Sequence, residues 1–173
     1  MKIAICGGIG CGKSYVAQYL KDKYDFKILS FGGKVKDISY DLFGLKHKNR
    51  QVIQDVAEKM KEIDPDIWIK YIQNKIDLHT NLNNNIVIDD LRFPNEYENL
   101  INNDFCIIRI NITDDFQKER IVMKYEKNAE IHMERLNHVS ESYYKDFECS
   151  YNFELTKDNE SDIYNFIDYI IKN

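Results

Sequence analysis

The chain has few prolines and no long apolar run. Only Pro65 and Pro94 occur in 173 residues. Each is placed near a helix start, where the missing N–H removes no helical bond. No segment approaches the roughly 18 consecutive apolar residues of a membrane span. Four cysteines, Cys6, Cys11, Cys106 and Cys149, form no C-x-x-C pair. They are expected to be reduced thiols in a cytoplasmic setting. No pair among His47, His79, His132 and His138 has metal-ligand spacing with a supporting carboxylate, which argues against zinc. The net charge of −5 argues against a general nucleic-acid surface. An apolar run begins at the first residues, so no signal peptide is expected. Repeats and long linkers are also missing, and a single domain over 1–173 is predicted.

Glycine is scarce too, but it is concentrated. Four of the seven glycines fall at Gly7, Gly8, Gly10 and Gly12. With Lys13 and Ser14 they complete the pattern G-x-x-x-x-G-K-S/T. An apolar run, "KIAIC", precedes the motif, and Val16, Ala17 and Leu20 follow at helical spacing. A loop between strand and helix aims backbone N–H groups at one point, to which the helix N-terminus adds partial positive charge. Glycine lets that backbone curl around a polyphosphate. The pattern predicts a nucleoside triphosphate, ATP first, held by Gly8, Gly10, Cys11, Gly12, Lys13, Ser14 and Tyr15. Lys13 is expected to reach the β- and γ-phosphates, and Ser14 to hold Mg²⁺.

Short apolar runs predict strands at 2–6, 26–31, 85–89, 105–112 and 150–155. Helical patterns fill 13–23, 33–43, 50–61, 65–78, 95–103, 114–127, 138–147 and 160–172. Strands alternating with helices predict a parallel sheet covered on both faces. The expected fold is a P-loop NTPase three-layer α/β/α sandwich with a five-stranded parallel sheet and a helical lid. Charged residues dominate 124–137, as in a mobile surface flap, and the lid insertion is placed at about 114–137.

"IVIDDLRF" supplies a second set of candidates. Asp89 continues a buried strand, the place for a Mg²⁺-organising carboxylate, and Asp90 competes with it. Arg92 can grip a phosphate with its planar fork, although Asp90 and Arg92 can also be read as a helix cap and a surface ion pair. Glu96 reads as a first-turn acid complementing its helix dipole. In the lid, Arg120 and then Arg135 are favoured to neutralise charge on a transferring phosphoryl group. Lys118, Lys124 and Lys127 read as solvated. His138 opens the "HVSE" stretch, where Ser140 and Glu141 also fit a capping role.

Six stretches together resemble the deoxynucleoside monophosphate kinases of large DNA bacteriophages and viruses, within the adenylate-kinase-like P-loop group. They are "GGIGCGKS", "FGGKVKDISYDLFG", "QDVAEKMKEIDPDIWI", "VIDDLRFPNEYENL", "IIRI" and "HVSE". The resemblance implies transfer of the ATP γ-phosphoryl to a deoxynucleoside monophosphate, and therefore a small-molecule substrate. It implies that Lys34 faces the acceptor and that Arg92 holds its phosphate. Phe31 and Trp68 then line the base or sugar pocket, and Trp68 reads equally as a core anchor. Asp89, His138 and Glu141 complete the substrate-binding set, and the adenine-contacting loop falls near Asn152. A homodimer is compatible with the sequence.

Two rivals remain. Dephospho-coenzyme A or phosphomevalonate could be the acceptor on the same cradle. A GTP switch is the other: "DLFG" at 41–44 and "NKID" at 74–77 match guanine-nucleotide motifs, but both have helical spacing.

Overall fold

The computed structural model describes residues 1–45, 47, 49–126, 129–137 and 141–173. Five strands are present: β1 (Lys2–Gly7), β2 (Lys27–Leu29), β3 (Ile86–Ile88), β4 (Cys106–Ile112) and β5 (Tyr151–Leu155). They form one all-parallel sheet in the order β2-β3-β1-β4-β5. Among the described residues eight α-helices accompany them. These are α1 (Lys13–Tyr24), α2 (Phe31–Phe43), α3 (Arg50–Ile63), α4 (Ile67–Asn81), α5 (Pro94–Ile101), α6 (Asp114–Tyr125), α7 (Ala129–Glu134) and α8 (Asp162–Lys172). The predicted P-loop NTPase sandwich is borne out.

The alternation of β1 explains the layering. Successive side chains point to opposite sheet faces. Ile3 and Ile5 enter a core with Val16, Leu20, Phe116, Ile163 and Ile167, under α1, α6 and α8. Ala4 and Cys6 enter a second core with Phe31, Ile72, Ile76 and Leu100, under α2, α4 and α5. Every residue from Ile3 to Cys6 is fully buried. A strand buried on both faces reads as a continuous apolar run. No helix is long and apolar enough to cross a membrane among the described residues.

Several boundaries differ from the sequence reading. α2 begins at Phe31, ahead of the predicted residue 33. The cause is remote: Asp90 accepts the N–H groups of Phe31 and Gly32 and the Ser30 hydroxyl, at 3.0, 2.9 and 2.7 Å. The described part of the predicted helix 138–147 is a short 3-10 turn, Tyr143–Lys145. The charged stretch 124–137 contains α7 and a 3-10 turn at Arg135–Asn137. There His132 is buried and stacks on Tyr125 with ring centroids 3.4 Å apart. "DLFG" falls at the end of α2 and "NKID" inside α4, so neither follows a strand as a guanine-nucleotide motif requires.

Candidate active site

The central strand ends where the glycine loop begins. Gly7 has φ +144°, and a Cβ there would lie 2.3 Å from the Ile110 carbonyl oxygen of β4. Only glycine tolerates both the conformation and that approach. Gly12, at φ 94°, is the N-cap of α1, and its carbonyl accepts the first helical N–H bonds, from Tyr15 and Val16. The loop is therefore pinned at both ends, beside a hollow that Ile9, Gly10 and Gly12 help to line.

Lys13 lies in that hollow. Its Nζ donates to the Gly7 and Gly8 carbonyls at 2.6 and 2.9 Å and lies 3.7 Å from Cys11 Sγ. The Cys11 side chain is fully buried and turned into the core, so only its backbone can face a ligand. Tyr15 is exposed beside the loop, with Lys124 Nζ 6.0 Å above its ring.

The tip of β3 delivers Asp89 to Ser14. The Ser14 side chain faces the Asp89 carboxylate across the cavity and favours its ionised form. Burial nonetheless raises the Asp89 carboxyl above its ordinary range, with Asp90 adding repulsion and Lys13 and Lys36 opposing it. The neighbouring carboxylates have separate tasks, because Asp90 is committed to the start of α2.

Arg92 follows on the same edge. One of its guanidinium nitrogens meets Glu141 Oε1 at 2.8 Å, and Glu141 Oε2 accepts the Ile9 N–H at 2.9 Å. Buried Glu141 thus ties this arginine to the phosphate loop. Glu96 accepts the N–H groups of Arg92 and Phe93 at 2.9 and 3.1 Å. Burial pushes its carboxyl up to about 7 against those two bonds.

From the other side α6 closes over the loop. The Arg120 guanidinium is ion-paired with Glu160, stacks over Phe116, and lies 3.8 Å from a Cβ placed on Gly12. Gln117, three residues earlier and so on the same helical face, donates to the Ile9 carbonyl at 2.6 Å. Sequence reasoning chose Arg120 for its charge and missed Gln117, although the i, i+3 spacing could have found it.

A cavity of about 1020 Å³ joins these groups. Lys13, Ser14, Asp89 and Arg92 line its centre, and Arg120 and Glu160 line the α6 side. Phe31, Val35, Trp68 and Phe93 make an apolar wall opposite. Trp68 is buried, lines the cavity, and donates from Nε1 to the Ala57 carbonyl at 3.2 Å. Lys34 is not among the described lining residues, and Lys36 of the same helix is. Asn152 is also away from the cavity. It lies inside β5 opposite Arg109, so the loop expected near it starts only after Leu155. His138 and the Arg135 side chain lie outside the described residues, as does Lys127.

The chain matches a family model described as AAA domain (AAA_18) over residues 3–155. No curated protein sequence matches it. Among solved structures, dephospho-CoA kinase from Campylobacter jejuni is similar at 17% identity and TM-score 0.59, covering 99% of this chain and 96% of that one. Shikimate kinase from Bacteroides thetaiotaomicron gives 12% identity, TM-score 0.54, and coverage of 100% and 99%. Deoxyadenosine kinase from M. mycoides, with dCMP and dCDP bound, gives 18% identity, TM-score 0.52, and 99% of each chain. At these identities the likeness is one of fold, and the fold is that of P-loop kinases.

Proposed function

The chain belongs to the AAA domain family, and from that premise we propose that it is an ATP-dependent phosphotransferase converting deoxynucleoside monophosphates to diphosphates. One observation carries the reading. A single cavity runs from the phosphate loop, past Arg92, to an apolar wall containing Phe31, Trp68 and Phe93. Triphosphate, acceptor phosphate and a flat base each find matching chemistry along it. Its volume is at the upper end of the roughly 300–1,000 Å³ of single-ligand sites, as two ligands require.

In this reading the loop amides and Lys13 hold the ATP phosphates. Arg92 holds the acceptor phosphate, one of whose oxygens attacks the γ-phosphorus as the bond to ADP breaks. Phosphoryl transfer asks for positioning and charge neutralisation more than covalent help. Arg120 is placed to neutralise the transferring group, and α6 and α7 act as the lid that excludes water. The residues also fit Mg²⁺. That ion accepts one or two protein oxygens and takes the rest from phosphates and water. Ser14 and Asp89, both on the cavity lining beside the loop, offer that number and would hold it. When bound, it offsets phosphate charge.

The test is ADP release with ATP, Mg²⁺ and each deoxynucleoside monophosphate in turn. Ribonucleotides, dephospho-coenzyme A and phosphomevalonate serve as controls, and Lys13→Ala as the blank. Turnover with a deoxynucleotide, lost in the blank, supports the assignment. Turnover only with a control moves the acceptor, and no acceptor-dependent turnover defeats the kinase reading.

A further inference from the structure

On the second face of the sheet, behind the site, two sulfurs meet. Cys6, at the level just before Gly7 in β1, places its Sγ 3.9 Å from that of Cys149, in the coil before β5. Cys6 is buried and Cys149 half-buried, so only the second is reachable from solvent. Arg109 of β4, opposite Cys6 in register, lies against both sulfurs. Its guanidinium donates to the Phe147 carbonyl, and its buried Nε has no partner. Among the described residues no carboxylate forms an ion pair with Arg109. A half-buried cation without an acid partner is costly, and a thiolate is an anion that can answer it.

We propose that Cys149 is an oxidation site, activated by Arg109 and resolved by Cys6 to give a reversible intramolecular disulfide. The hydrogen bond from Cys6 and the charge of Arg109 both lower the Cys149 thiol below its usual range, while burial works against them. The Cys6 thiol is held up and keeps its proton. The oxidant is a peroxide. The Cys149 thiolate attacks one peroxide oxygen, the O–O bond breaks, and Cys149 becomes a sulfenic acid as the departing hydroxide takes up a proton to form water. Cys6 sulfur then attacks the sulfenic sulfur. The S–O bond breaks, and the leaving hydroxide takes the Cys6 proton. The sum is two thiols and one hydrogen peroxide giving one disulfide and two waters. The sulfurs must close from 3.9 Å to about 2.05 Å, a movement the coil around Cys149 can supply.

The test exposes the full chain to hydrogen peroxide and then maps its peptides by mass. The expected product has lost two hydrogens per chain, retains two of its four free thiols, carries a Cys6–Cys149 peptide, and reverts with dithiothreitol. Cys149→Ser keeps its thiols under the same exposure. Arg109→Met slows alkylation of Cys149 by iodoacetamide about tenfold at neutral pH. A cross-link to Cys11 or Cys106, a link between chains, further oxidation of Cys149 with no link, or no reaction overturns the proposal. An unchanged alkylation rate in Arg109→Met overturns the part given to Arg109.

Discussion

Glu141 and Arg92, 49 residues apart, form an ion pair at 2.8 Å whose acid is buried and whose base is half-exposed. The acid is fixed by its second bond, to the Ile9 N–H. The arginine is thereby aimed, with its other donors left for the cavity. Arg92→Met should lower kcat/KM for the acceptor on the order of a hundredfold, the worth of about 2–3 kcal/mol in charge-assisted bonds, and leave the KM for ATP nearly unchanged. It should also destabilise the protein, because Glu141 is left buried and unpaired. Adding Glu141→Gln should restore the stability and not the activity. Denaturant midpoints and initial rates on the two variants separate these effects.

Asp89 should show a conflict between stability and activity. Its folded carboxyl titrates above the usual range, so its ionised form costs stability. That cost is full above the raised value and disappears as the pH falls toward the ordinary value of 3.8. Asp89→Asn should therefore melt higher than the native chain at neutral pH, with a gain that shrinks on acidification. Its turnover should fall roughly a hundredfold or more if the carboxylate organises the transferring charge. Melting curves across pH, beside rates at neutral pH, give both answers.

Glu96 should impose a pH dependence of its own. Its folded carboxyl, at about 7, lies above the ordinary 4.5. The native state holds the proton more tightly than the unfolded chain, so this group's contribution is fully present below 4.5 and is lost as pH rises through about 7. Glu96→Gln stays neutral and should lose that slope. The difference in unfolding free energy between the two proteins, measured at several pH values, should change across that window and be flat outside it.

Gln117→Ala should weaken the join between α6 and the phosphate loop. The bond it removes, to the Ile9 carbonyl, is 2.6 Å long. A loss of about 0.5–1.5 kcal/mol in stability is expected for one neutral bond. The KM for ATP should rise and that for the acceptor should not. Steady-state rates with each substrate varied in turn decide the matter.

The sheet was legible because buried parallel strands are uninterrupted apolar runs, as "KIAIC" and "IVI" are. The phosphate loop was legible because its spacing is local. What escaped depended on distant partners. The start of α2 is decided by Asp90, about sixty residues away. The resemblance placed Lys34 toward the acceptor, and Lys36 of the same helix lines the cavity. The turn at Tyr143–Lys145 is held by Tyr143 near Phe93, and just beyond it Phe147 stacks on Tyr97. No periodicity within the segment records either contact. Gln117 was overlooked because a neutral amide attracts less notice than an arginine three positions on.

Because β1 is hydrogen-bonded on both edges, to β3 and β4, none of its amides lies on an open sheet edge. Ile3–Cys6 should then be among the slowest-exchanging amides of the chain, reporting global unfolding alone. Short α7, packed on α6, should exchange through smaller openings of its own. Nucleotide binding should slow exchange of β1 by the full factor through which it stabilises the folded chain, and slow the α6–α7 side only so far as its local openings release the ligand.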